Sequence, residues 1–75
     1  MDTRGYAYFK LGQFQQAIQD YEAALRAYPG MASTLYQRGV AKLKLGDGTG
    51  EVDIAAARSI NSRIAERMSE IGVIP

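Results

Sequence analysis

The chain has 75 residues and a mass of 8.2 kDa, which suffices for one small domain at most. It has no cysteine and no histidine, which excludes disulfides, thiolate or imidazole metal ligands and the usual activated nucleophiles, so we expect no enzyme and no cofactor. A net charge of +1 argues against nucleic acid as a partner, and no segment is apolar enough to span a membrane. The N-terminus lacks the basic-then-apolar order of a signal peptide. This favours a cytoplasmic location but does not fix the compartment.

The first predicted element is a short helix over residues 2–11, and its sequence recurs later in the chain. Arg4–Gly12 reappears as Arg38–Gly46, with six of nine residues identical at an offset of 34. A weaker echo at an offset of 33 relates Asp20 to Asp53. Self-similarity at this period predicts a helical repeat.

Helical periodicity predicts the second and third elements. Apolar residues from Phe14 to Tyr28 recur at i, i+3, i+4 and i+7, and Pro29 with Gly30 ends that helix. A third helix is predicted from Ala32 to Leu45. Glycines are expected to end the first and third helices, and the small residues Gly5 and Ala17 are expected to meet where the first two helices cross.

The fourth helix departs from the repeat because Glu51 stands where a small residue is expected. A one-residue slip would bring Ile54 and Ala57 into register with Tyr21 and Ala24. The fourth helix is therefore predicted to be short or to start late.

A fifth helix is predicted with Ser62 as its N-cap and Gly72 as its C-cap. No segment alternates with a period of two residues, so no sheet is expected. The predicted fold is all-α, with five helices and short loops that make neighbouring helices antiparallel.

This pattern resembles the tetratricopeptide repeat family, a 34-residue helix–turn–helix unit. The resemblance rests in the first unit on Gly5, Tyr8, Gly12, Phe14, Ala17, Tyr21, Ala24 and Pro29, and in the second on Leu35, Gly39, Ala41 and Gly46. It implies one domain in a right-handed superhelix: repeat one at 1–30, repeat two with a degenerate second helix at 31–61, and a capping helix at 62–72. Two units are fewer than an array usually needs, so we expect a piece of a longer array or self-association.

The resemblance also implies a protein-interaction scaffold whose concave groove binds a peptide or helix of a partner. The partner-binding residues that it implies are Tyr6, Phe9, Lys10, Tyr36, Gln37, Val40, Leu43 and Lys44, with Asp2 and Ser33 beside them. The alternative is that the aromatic residues only pack within the array. A second function is self-assembly into a homo-oligomer. The cationic cluster with which some family members hold chaperone tails has no counterpart here.

Two further patterns have alternative interpretations. Arg4 and Arg38 could form salt bridges or reach a carboxylate of a partner, but an arginine with a packed stem and a solvated head is favoured. Residues 46–53 could suggest a phosphate or calcium loop, but both patterns are incomplete and a flexible turn is favoured.

Overall fold

The computed structural model describes residues 3–75, and within this range the chain is all-helical with no strand. The predicted groove position Asp2 lies outside the described residues. The five helices are α1 (Thr3–Lys10), α2 (Phe14–Ala27), α3 (Ala32–Lys44), α4 (Gly50–Ile60) and α5 (Ile64–Glu70). None of these helices is long and apolar enough to cross a membrane.

Three helices end at a glycine with a left-handed backbone, as the sequence predicted. Gly12, Gly46 and Gly72 have φ angles of 79°, 83° and 82°. After Gly46, the amide of Asp47 donates a hydrogen bond of 2.8 Å to the carbonyl of Lys42. This pairing satisfies a carbonyl that the last helical turn leaves free, and glycine adopts the required φ at no steric cost.

The start of α5 differs from the prediction that Ser62 is its N-cap. The helix begins at Ile64, with Arg63 at the cap position, and Ser62 is exposed. The amide of Arg63 donates instead to the side-chain oxygen of Asn61 at 3.0 Å. The Asn61 side chain closes a local turn before the helix, which places the helix start later than Ser62 would.

The predicted slip in the second hairpin is confirmed. α4 has 11 residues against 14 in α2, and Ile54 and Ala57 are buried while Glu51 is exposed. The close approach of α3 and α4 is made by two glycines: a Cβ atom at Gly39 would lie 2.6 Å from the carbonyl oxygen of Gly50. Gly50 thus stands one residue before Glu51, in the place that Ala17 has in the first hairpin.

The helices form two consecutive hairpins, α1–α2 and α3–α4, and α2 packs against α3 to join them. The helix α5 packs against α3 and, less extensively, against α4. One buried apolar cluster runs through the molecule, with Phe9, Ala17, Tyr21, Tyr36, Val40, Ala41, Ile54, Ala57, Ile64, Met68 and Val73 as members. All five helices or their immediate extensions contribute to this single core.

Candidate interaction groove

The candidate site is the groove between α1 and α3, and the chain's own C-terminal segment lies in it. We refer to residues 64–73, which comprise α5 and the three residues after it, as the tail. On the α1 side, the Tyr6 hydroxyl and the Lys10 ammonium donate hydrogen bonds of 3.2 and 3.3 Å to the carbonyl oxygen of Ile71. These bonds join the two ends of the described chain.

On the α3 side, Gln37 links the groove to the tail. Its side-chain oxygen accepts a hydrogen bond of 2.7 Å from the Tyr21 hydroxyl, and its amide nitrogen lies 3.7 Å from the sulfur of Met68. Because Tyr21 is buried on α2, the amide of Gln37 is held in one orientation. Gln37 therefore presents its N–H group to the tail.

The tail also inserts apolar side chains into the core. Ile64, Met68 and Val73 are all buried, and Val73 has no solvent exposure. Ile64 and Met68 are four residues apart and therefore lie on one helix face. Fully burying an aliphatic side chain of this size stabilises by about 1.5–3 kcal/mol, so these three residues provide most of the attraction that holds the tail.

The structure divides the predicted partner-binding residues into two groups. Three of them, Tyr6, Lys10 and Gln37, line the groove and contact the tail directly. The remaining five are Phe9, Tyr36 and Val40, which are buried in the cluster that the tail completes, Leu43, which is half-buried, and Lys44, which is exposed.

Aromatic packing also involves Phe9. Its ring meets that of Phe14 edge to face, with the centroids 5.4 Å apart. This contact fixes the end of α1 against the start of α2.

A cavity of about 300 Å³ remains beneath the tail. Its lining comes from α1, α2, α3 and the tail: Tyr6, Tyr21, Ser33, Thr34, Gln37, Met68 and Ile71. Four of these residues were not identified as site residues from the sequence: Tyr21, Thr34, Met68 and Ile71. The apolar spacing of the fifth helix was visible, but nothing in it showed that this helix would turn back onto α1 and α3.

The repeated arginines join the helices of each hairpin, which corrects the favoured interpretation that their heads are only solvated. Arg4 donates two hydrogen bonds of 2.7 and 2.8 Å to Asp20, and Arg38 donates two of 2.8 Å to Asp53. The echo of Asp20 by Asp53 was the signal that could have revealed these pairs. Because the same pair occurs in both hairpins, we interpret the two arginines as residues that hold the helices of each hairpin together. Neither arginine is therefore the first candidate to contact a carboxylate of a partner.

The two pairs differ in their surroundings. The Arg4 side chain is 73% exposed, whereas that of Arg38 is 21% exposed, and Lys42 adds a second cation 3.2 Å from Asp53. Burial raises the pKa of Asp53, but the hydrogen bonds and charges of Arg38 and Lys42 together outweigh it and keep the pKa below its ordinary value of 3.8.

The loop before α4 shows no arrangement for a metal ion. Asp47 accepts hydrogen bonds from the Thr49 hydroxyl and amide, at 2.7 and 2.9 Å, and these lower the pKa of its carboxyl. Asp53 is engaged by Arg38. Among residues 3–75, no group of three or more acidic residues is placed to hold a metal.

A second, more open depression of about 640 Å³ lies between the start of α3 and α5. Its charged residues are Arg63, Glu66, Arg67 and Glu70, so opposite charges alternate along it. A surface of this kind has no dominant sign of charge, and it lacks a nucleophile paired with a base.

Comparison with known proteins finds a family match for the first hairpin. Residues 3–31, which are less than half of the chain, match the family model of the tetratricopeptide repeat. Searches of curated proteins and of solved structures found no match.

Proposed function

We propose that the groove of this chain binds a short amphipathic helix of a partner protein, because residues 3–31 match the tetratricopeptide repeat, which generally mediates protein–protein interaction and not catalysis. The observation that supports this proposal is the tail itself, a short helix with one apolar face seated between α1 and α3. The partner would take the place of the tail, so binding and release of the tail are coupled. Because the repeat that residues 3–31 match generally mediates protein interaction and not catalysis, we propose no enzymatic activity.

The contacts of the tail indicate what such a partner must offer. It needs apolar side chains four residues apart, as Ile64 and Met68 are, to reach the buried cluster. It also needs a carbonyl at the helix C-terminus that can accept hydrogen bonds from Tyr6 and Lys10. The positive charge of Lys10 favours that end of a helix, where the dipole is negative.

Self-assembly is the second candidate function. Several large apolar side chains are exposed, among them Leu11 at 70%, Val52 at 68% and Tyr28 at 67%. Exposed apolar surface of this kind could be covered by a second copy of the chain.

The first candidate is tested with the tail sequence supplied as a separate peptide. Val73→Asp places a charge at a fully buried position of the tail and leaves every residue of α1 and α3 unchanged. A labelled peptide of residues 61–75 should bind this variant more tightly than the unmodified protein, by fluorescence anisotropy. The same peptide carrying Met68→Asp is the matched control and should not bind.

Two further variants make the result unambiguous. Gly72→Ala is a milder way to release the tail, because Gly72 has a φ of 82° and an added Cβ would lie 2.7 Å from the Lys10 nitrogen. It replaces Val73→Asp in the binding experiment if circular dichroism shows that Val73→Asp has lost its helical structure. Adding Gln37→Ala to the released protein should weaken binding of the peptide, whereas adding Ser59→Ala, at an exposed position of α4, should not. Equal affinity of the peptide for released and unmodified protein would overturn the proposal.

A further inference from the structure

The cavity beneath the tail has the size and lining of a binding pocket for one aromatic side chain. We infer that it is an anchor pocket for a tyrosine-type ring, supplied by the partner helix that the proposed function requires. The inference rests on that proposed function and names the chemistry of the partner at one position.

The volume suits an aromatic ring. A closed apolar cavity of about 150 Å³ is enough to accept benzene, and this cavity is about 300 Å³. Met68 and Ile71 of the tail form one apolar wall, which a partner helix in place of the tail must supply from its own side chains, and Tyr6 and Tyr21 line the cavity from α1 and α2. A planar ring can pack against such surfaces with little loss of conformational entropy, since an aromatic side chain has only two rotatable bonds.

Two donors in the cavity wall use poor acceptors. Thr34 is only 4% exposed, and its hydroxyl lies 4.0 Å from the sulfur of Met31. The amide N–H of Gln37 meets the sulfur of Met68 at 3.7 Å. A thioether is a weak acceptor, so an oxygen atom in the cavity would be a better partner for both groups. A ring that carries a hydroxyl supplies this oxygen.

The tail itself does not fill this space. Ile71 lines the cavity but remains 41% exposed, so its side chain leaves the volume open. A partner helix with tyrosine at the position of Ile71 would fill the cavity and also reach Thr34 and Gln37. Such a helix would bind the groove more tightly than the tail sequence does.

The pocket is tested directly with phenol and toluene, which differ by a hydroxyl in place of a methyl group. In titrations of the full chain, followed by the methyl resonance of Met68, phenol should bind about three- to tenfold more tightly than toluene. Thr34→Val keeps the shape of the side chain and should remove this preference, whereas Ser59→Ala, at an exposed position of α4, should keep it. Ile71→Phe should weaken both probes by filling the cavity.

The partner side of the inference is tested with the released protein. A peptide of residues 61–75 carrying Ile71→Tyr should bind Val73→Asp protein about three- to tenfold more tightly than the unmodified peptide, and phenol should compete with it. Equal affinity of the two peptides, or equal binding of phenol and toluene, overturns the anchor pocket and leaves the groove function standing. Selective binding of phenol without binding of either peptide overturns the groove function and, with it, the tyrosine of a partner as the occupant.

Discussion

At the scale of residues, the same ion pair has two different roles in the two hairpins. The Arg4–Asp20 pair is open to solvent through Arg4, so screening by water reduces its contribution. The Arg38–Asp53 pair is mostly buried, and Lys42 completes the neutralisation of a carboxylate that burial would otherwise penalise. The family resemblance implies an aromatic residue at position 42, as Tyr8 is in the first unit, and Lys42 supplies a cation to Asp53 there instead.

The two aspartates can be compared by matched substitutions. Asp53→Asn should lower the free energy of unfolding by about 2–3 kcal/mol because it leaves two partly buried cations with a neutral partner. Asp20→Asn should cost less than about 1 kcal/mol. Urea denaturation at neutral pH measures both values.

The pH dependence provides a check on the same pair. The pKa of Asp53 is lower in the folded chain than its ordinary value of 3.8. The carboxylate therefore contributes fully to folding stability above pH 3.8, and this contribution is lost as the pH falls below 3.8 and through the lower pKa of the folded chain. The difference in stability between the unmodified protein and Asp53→Asn should therefore shrink at about pH 3. Equal losses for the two aspartates, or a difference that does not change with pH, would contradict the assignment.

At the scale of helices, the second hairpin depends on two facing glycines. Gly39 and Gly50 let the backbones of α3 and α4 approach so closely that a Cβ atom at Gly39 would also lie 2.8 Å from Cγ1 of Ile54. Glycine in a helix costs about 1 kcal/mol relative to alanine. The close packing must offset that cost, which explains why a poor helix former occupies both positions.

Alanine substitutions test this crossing. Gly39→Ala should destabilise the protein by about 1–3 kcal/mol, since the clash with a backbone carbonyl outweighs the gain in helix propensity. Gly48→Ala is the matched control because an added Cβ there meets nothing within 4 Å, and its effect should stay within about 0.5 kcal/mol. The urea denaturation midpoints of the two variants measure these effects. An increase in stability on Gly39→Ala would refute the close approach of α3 and α4.

At the scale of the whole molecule, the tail closes the fold. It supplies Ile64, Met68 and Val73 to the core and connects the end of the chain to α1 through Tyr6 and Lys10. A small domain buries a limited share of its surface, so the apolar residues of the tail contribute to the stability of the whole chain. The groove is therefore occupied by the tail of the same molecule.

This arrangement predicts the mass of the protein in solution. Because the tail occupies the groove, we expect a monomer of 8.2 kDa from micromolar to millimolar concentration. Light scattering behind a sizing column measures this mass, with Val73→Asp run in parallel. A dimer of the unmodified protein at micromolar concentration would favour self-assembly over a groove held for a foreign helix.

The sequence by itself determined the five helices and the glycines that end three of them. Periodicity defined the apolar faces, Gly12, Gly46 and Gly72 marked the left-handed ends, and the 33- and 34-residue echoes predicted the hairpins and the slip in α4. These features depend on interactions between residues close in the chain or on a repeated pattern, so they can be read locally.

The tertiary structure alone decided where the fifth helix lies and which groove residues remain accessible. An apolar stripe on α5 can pack against any complementary face, and its spacing does not identify that face. The bonds from Tyr6 and Lys10 to Ile71 span 65 and 61 residues, and no local pattern encodes them. Gly39 and Gly50 repeat, at offsets of 34 and 33, the small residues Gly5 and Ala17 that were expected to meet in the first hairpin, but how closely α3 and α4 approach is visible only in the tertiary structure.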